Sequence, residues 1–416
     1  MSALRCALIE TSEEEAYVAV AKYIAELRDG QQSTFTDECE QLYAAEQHEK
    51  LLDKFMSALD AVFAAASSDA DLECCLNMMC HLVPRIPLPA ATAAAQRLAA
   101  ALAASTDSRP DKRLLALVTL YNAAYDAPTK AAVLLQALGY AKAAGLSDTM
   151  LPVIRAHADS WPTELGLDAA GERRLFTACA DALEGCTRKP RTAAREGVRL
   201  LSKCLVTYED APAAELPTAV PAAAHVVAEF VRSPDVFQFD LATNPAVAQL
   251  SSVKEHAPLH RLLSIFLKGS VQDYQAFVAT ADGTAALAAA GISGEEALAK
   301  MRLLAFMGLA HGATEVTFGQ IQAALDLSAE EVEGAVVQAI GKRIAEARID
   351  QLRGVVAVSK CAPRTFGPQH WLELQTTLAG WKEAAIMAQQ AVAEAGGSAP
   401  ARSGPSAAPA PAAVRA

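Results

Sequence analysis

The chain has 416 residues, 52% hydrophobic and 20% charged, which excludes a disordered chain and allows two or three domains around a large core. Aromatics are only 6% while alanine abounds, so close-packed helices are expected in place of β-sandwiches. A formal net charge of -12 excludes binding to nucleic acid by overall attraction and leaves room only for a local basic patch.

At the start, Met1 to Tyr17 has one early arginine and a very short apolar run before Glu13, Glu14 and Glu15, which is not the order of a secretory signal, so no export is expected. Nine cysteines scattered without small-domain spacing point to reduced thiols in a cytosolic or nuclear protein. From there to about residue 290, apolar positions return with helical period between stop signals. Ser12 with Glu15 has capping-box spacing, and Asp29-Gly30 ends the helix it opens. Further breaks fall at Pro84 to Pro89, Arg109-Pro110, Pro128, Gly145 to Ser147, Trp161-Pro162, Gly185, Pro212 and Ser233-Pro234. Short-looped helices of this length pair antiparallel and stack into a solenoid of the tetratricopeptide or HEAT kind, with no consensus that decides between them. The most apolar windows, 88–104 and 217–231, carry Gln96 and Arg97, or Pro221, His225 and Glu229, and neither is expected to span a bilayer.

The segment Glu295 to Ala310 is apolar on most sides and reads as a buried joint. Thr317 with Gln320 caps a short helix, and Ser328 with Glu331 caps the next, Ala329 to Arg343, whose stripe is Val332, Val336, Ala339 and Ile340. After Lys342-Arg343 the period changes to two. Ala347 and Ile349 alternate with Arg348 and Asp350, Arg353-Gly354 makes a hairpin turn, and Val355, Val356 and Val358 form the return strand, which together predict a winged helix. A last helix carries Trp371, Leu374, Leu378, Trp381, Ala385, Ala388 and Val392 at alternating steps of three and four. Residues 396–416 are Gly, Ser, Pro and Ala with almost no large apolar side chain and are expected to be disordered. The expected domains are helical repeats over 1–205, a helical part over 206–312, a winged helix over 313–366 (both within a unit spanning 206–368), a C-terminal interaction helix over 367–395, and the tail.

A helical-repeat body running into a winged helix is the plan of the PCI domain. Lys300-Met301-Arg302-Leu303-Leu304, Phe306-Met307-Gly308, Ile349-Asp350-Gln351, Arg364-Thr365-Phe366-Gly367 and the series Trp371, Leu374, Leu378, Trp381-Lys382 resemble the M-subunit family of eukaryotic translation initiation factor 3. Upstream, Asp235, Phe237, Phe239, Asp240, Leu262-Leu263 and Ile265-Phe266 fit the same pattern, so the resemblance covers residues 235 to 382. It implies a mostly α fold, with a right-handed solenoid, a winged helix and a long C-terminal helix. It also implies a non-catalytic cytoplasmic scaffold that supports recruitment of mRNA and initiator tRNA to the small (40S) ribosomal subunit and formation of the preinitiation complex. Its partners would be other PCI and MPN subunits and the small ribosomal subunit, with mRNA met indirectly, and no membrane, cofactor, metal or small-molecule substrate. The nearest rival is a subunit of the COP9 signalosome or proteasome lid built on the same plan; the rival of another class is a winged-helix nucleic-acid binder.

Three candidate surfaces follow. The seven-residue heptad seam either folds back on its own domain or bundles with partner helices, and two tryptophans ten residues apart favour bundling. Exposed strand edges at Ile349, Asp350, Gln351, Val356 and Val358 offer backbone groups that a neighbouring winged helix would extend, as related PCI subunits are thought to do, or else these residues are core. Lys342, Arg343, Arg348, Arg353, Lys360 and Arg364 outnumber Glu346 and Asp350, a modest surplus for weak RNA contact. The helix that would enter a groove opens with Glu330, Glu331 and Glu333, which argues against sequence-specific DNA binding. His256 and His260 lack a third metal ligand, and Cys74, Cys75, Cys80 and His81 read as small core residues. Gly334 to Gly341-Lys342 has the wrong interval for a phosphate loop, and neither a nucleophile elbow nor a His-Glu-x-x-His occurs.

Overall fold

The computed structural model describes residues 16–29, 34–65, 68–88 and 90–397. The expected cap at Ser12 and Glu15, the stop at Gly30 and the tail from residue 398 lie outside the described residues. The first half consists of α1 (Ala16–Asp29), α2 (Phe35–Ala44), α3 (His48–Ser57), α4 (Leu59–Ala65), α5 (Asp69–Leu82), α6 (Ala90–Ala103), α7 (Pro110–Ala123), α8 (Ala127–Ala143), α9 (Ser147–His157), α10 (Trp161–Glu164), α11 (Ala169–Glu184) and α12 (Pro190–Val206). The prolines in these boundaries sit in the first turn, where a missing N–H is harmless: Pro110 opens α7, Pro128 follows the Asp126 cap of α8, and Pro162 starts a short helix where a break was expected.

Each helix buries one side against its chain neighbour and another against the next pair: α5 on α7, α6 on α8, α8 on α11, α11 on α12. Polar staples repeat this geometry on the surface. Arg97 bonds Glu49 and Asp53, Lys112 bonds Glu73, Lys142 bonds Glu184, Arg199 and Lys203 bond Asp159, and Arg195 meets Asp235. Partners in this series lie 39 to 48 residues apart. That spacing is close to the roughly 40–47 residues of HEAT-type units and longer than the roughly 34 of tetratricopeptide units, a choice the sequence left open.

The stack continues through α13 (Val220–Arg232), α14 (Pro245–Ala248), α15 (Ala257–Lys268), α16 (Val271–Val278), α17 (Ala281–Ala290) and α18 (Gly294–Ala310). Ser293 and Glu296 form a full capping box for α18, and its Met301, Leu304, Phe306 and Met307 are buried, as expected of the joint. One continuous hydrophobic core then runs into the terminal domain.

That domain contains β1 (Glu315–Thr317), α19 (Phe318–Leu325), α20 (Val332–Gly341), β2 (Ala345–Asp350) and β3 (Val355–Cys361). Thr317 and Gln320 make the expected reciprocal cap of α19. At α20 only half of a cap forms. The Glu331 carboxylate accepts from the Ser328 N–H and hydroxyl, but the Glu331 N–H goes to the Ser328 carbonyl. Residues 329–331 therefore make a turn, and the helix begins at Val332 instead of Ala329. The sheet is antiparallel in the order β1-β3-β2. The strand missed from sequence is β1, three residues in which only Val316 is buried, too short for a two-residue period to register. The final helix, α21 (Pro368–Gly397), includes Gly396 and Gly397, two residues beyond the expected boundary. Among the described residues no helix is long and apolar enough to cross a membrane.

Candidate subunit-docking site

Three basic residues from the motif segments bind carbonyls at helix C-termini: Lys300 ties two helices of the body together, whereas Arg302 and Arg364 hold the terminal domain onto that body. Lys300 on α18 donates from Nζ to the carbonyls of Phe230 and Ser233 at the end of α13, with its ammonium 4.2 Å from the centre of the Phe230 ring. Burial pushes its pKa down to about 7. Arg302 donates to the Leu325 and Asp326 carbonyls at the end of α19. Arg364 donates to Ile265, Phe266 and Gly269 carbonyls at the end of α15, at 2.8 to 2.9 Å, and burial lowers its pKa to about 10.

Beyond Arg364 the chain turns into α21 through an aromatic clasp. Phe366 stacks on His370 and meets Trp371 edge-on at 4.9 Å, His370 lies 5.3 Å from His311 at the end of α18, and the Gly367 N–H donates to His370 Nδ1. This clasp fixes the root of the helix. Every residue from Trp371 to Val392 is exposed. The seam Trp371, Leu374, Leu378, Trp381, Ala385, Ala388 and Val392 thus lies open, with Trp371 at 63% and Trp381 at 67% exposure, and does not fold back into the chain's own core. Leu372, Ile386 and Met387, which lie outside that three-four stripe, are exposed as well.

The wing differs from expectation. Because β1 pairs with β3, Val356 and Val358 sit on the central strand, with Val356 fully buried and the Val358 N–H bonded to the Thr314 carbonyl. They form no edge. On the β2 side, Ile349 and Asp350 keep an outer edge, half-buried in side chain, while Gln351 lies in the turn and donates to Glu333. A bulge at Ser359 lets Glu346 face Lys360 and Ala347 face Val358.

The expected basic surplus is largely consumed. Lys342 bonds Asp235, whose carboxyl it holds below the usual range, and also the Pro234 carbonyl; Arg353 pairs with Glu315 and Lys360 with Glu346. Arg364 is half-buried with its guanidinium spent on the carbonyls at the end of α15. Arg343 and Arg348 remain exposed without an ion pair among the described residues. Among those residues no three His, Cys, Asp or Glu side chains gather as a metal site. Cys75 and Cys80 are core residues of α5, the former pushed up to about 12 by burial.

A helical array closed by a winged helix is the build of a PCI-domain protein, and the family model described as the PCI domain matches residues 279–360. Eukaryotic translation initiation factor 3 subunit M of Gallus gallus is 30% identical over 278 residues, 66% of this chain and 70% of that protein. The Nematostella vectensis subunit M is 27% identical over 342 residues, covering 80% of this chain and 85% of its own length. The Danio rerio subunit M is 30% identical over 237 residues, 56% of this chain, and that match spans 59% of the fish protein, under two thirds. The chain belongs to the family of subunit M of eukaryotic translation initiation factor 3.

Proposed function

We propose that this protein is a non-catalytic scaffold of translation initiation factor 3 in the cytoplasm, holding other PCI and MPN subunits in place. In that position it supports recruitment of mRNA and initiator tRNA to the small ribosomal subunit and formation of the preinitiation complex. The observation that carries the reading is the open seam of α21: two tryptophans and two leucines stand in water on a helix whose root is clamped. A cluster of large apolar side chains exposed in this way marks a surface that another protein covers. The later alanines allow a neighbouring helix to approach closely.

The second contact is the β2 edge at Ile349 and Asp350, where a neighbouring winged helix would add a strand. Its unpaired backbone groups set the order of subunits, while the seam supplies most of the buried apolar area.

The test is recovery of the native assembly through a tagged chain. Trp371→Ala with Trp381→Ala is expected to release the subunit from its PCI and MPN partners and from small-subunit ribosomal proteins. Undiminished recovery of the assembly by the double variant would overturn the proposal, and co-purification of the unmodified chain with cullins or proteasome base subunits would move it to a rival complex of the same plan.

A further inference from the structure

The turn between α19 and α20 holds a serine whose hydroxyl caps no helix. Ser328 and the three residues after it are exposed and belong to no helix or strand. The hydroxyl donates to the Glu331 carboxylate at 2.9 Å, while the Glu331 N–H goes to the Ser328 carbonyl. Three other helices open on a serine with an acid three residues on, and there the cap is closed: Ser68 accepts from the Asp71 N–H, Ser270 from that of Asp273 and Ser293 from that of Glu296. Asp326, Glu330, Glu331 and Glu333 flank Ser328, and no Lys or Arg lies between Arg302 and Lys342. Ser57, Ser108 and Ser252 also have an acid three residues on, but Lys54, Arg109 and Lys254 stand within three residues of them. One cation reaches the turn from α18. Arg302 donates from Nε and Nη2 to the Leu325 and Asp326 carbonyls, which leaves Nη1 without an acceptor among the described residues. The Glu331 carboxyl is held below its usual range by the two bonds from Ser328 and, to a smaller degree, by this guanidinium.

We propose that Ser328 is a phosphorylation site for an acid-directed serine kinase, and that the phosphate closes the cap which the bare hydroxyl leaves open, with Arg302 as its counter-charge. In the transfer, Ser328 Oγ attacks the γ-phosphorus of magnesium ATP. The new O–P bond forms as the bond to the bridging oxygen of ADP breaks, and the hydroxyl proton passes to the carboxylate base of the kinase. An acceptor in an exposed turn reaches that geometry without unwinding a helix, and a kinase cleft lined by Lys and Arg selects it by charge. The product carries about two negative charges and three acceptor oxygens. These repel the Glu331 carboxylate from the Ser328 N–H and draw Nη1 of Arg302. In the unmodified chain the first turn of α20 closes with the Ala335 N–H on the Glu331 carbonyl, so the N–H groups of Val332, Glu333 and Gly334 lack intrahelical acceptors. A phosphate at the N-cap accepts from the Glu330 and Glu331 N–H groups instead. The helix then starts at Ala329, and the Glu333 and Gly334 N–H groups bond the Ala329 and Glu330 carbonyls. Modification thus fixes the turn to α18 and stiffens the joint between body and terminal domain.

The test treats the full chain with casein kinase 2, an acid-directed enzyme, and magnesium ATP, and maps phosphate by mass spectrometry over time. Ser328 is expected to be modified about tenfold faster than Ser68, Ser270 or Ser293, and Glu330→Gln with Glu331→Gln to slow it by about the same factor. Amide exchange at Glu333 and Gly334 is expected to slow about tenfold on phosphorylation. Each protein is compared with its own unphosphorylated form: Arg302→Gln should lose most of that slowing, and Arg302→Lys, which keeps the charge, should restore it. Modification of Ser328 no faster than of the capped serines, or at a rate indifferent to the two glutamates, would overturn the site. Unchanged exchange in the phosphorylated chain would overturn the cap, and slowing that persists undiminished in Arg302→Gln would overturn the part given to Arg302.

Discussion

Lys300, within the helical body, and Arg364, between that body and the terminal domain, show how much of the packing depends on single side chains. An unfolded lysine titrates near about 10.4, whereas folded Lys300 is pushed down to about 7. The unfolded chain therefore holds more protons between those values, and the contribution of this site to stability rises as pH increases from about 7 to about 10. Urea midpoints at pH 7 and pH 9.5 should show that rise in the unmodified protein, and Lys300→Met should flatten it. Arg364→Gln leaves the carbonyls of Phe266 and Gly269 without the guanidinium, while that of Ile265 keeps the Gly269 N–H, so a loss of about 2 kcal/mol is expected in urea unfolding. A loss below about 0.5 kcal/mol would mean that water replaces the guanidinium. The sequence drew attention to Lys300 through family likeness, and to Arg364 through that likeness and as part of the basic surplus. Nothing in their spacing reveals that one binds the end of α13 and the other the end of α15, because those carbonyls lie 67 to 99 residues away along the chain.

At the scale of elements, α21 and the rest of the winged helix behave differently under substitution. Trp381 is exposed and touches no core, so Trp381→Ala should shift the unfolding midpoint of the isolated chain by less than about 0.5 kcal/mol, even though the proposed partners are lost. Val356→Ala, in the fully buried centre of β3, should cost about 2 kcal/mol or more. Comparable destabilisation by both changes, read by urea unfolding, would contradict the open seam. The capped helix α19, the hairpin turn and the long final helix were legible in sequence, since local chemistry dictates them: Thr317 with Gln320, Gly354 at positive φ, and an unbroken apolar period. What escaped was non-local. Strand β1 exists because β3 holds it, and its pairing turned Val356 and Val358 from edge residues into central ones. The early start expected for α20 failed because the Glu331 N–H bonds the Ser328 carbonyl and not its hydroxyl.

Across the whole molecule, acid-base staples between repeats explain why a chain so rich in Lys and Arg on α12 is a poor candidate for binding polyanions. On the wing, with Lys342, Arg353, Lys360 and Arg364 engaged, Arg343 and Arg348 are the remaining cations of the six proposed for RNA contact. If both bound single-stranded RNA, the slope of log K against log salt would be no steeper than about -1.4. Titration of a short RNA with the full chain over a range of salt should give that slope or a flatter one; a slope near -4 would restore the larger patch. The clasp at the root of α21 has a mechanical consequence. Thirty residues of helix make a rod of about 45 Å. A tilt of about ten degrees at the base swings its far tip by about 8 Å at that length, more than the width of a side chain. Small aromatic contacts among Phe366, His370 and Trp371 therefore aim a long lever, and substitutions there should misdirect distant neighbours without touching them.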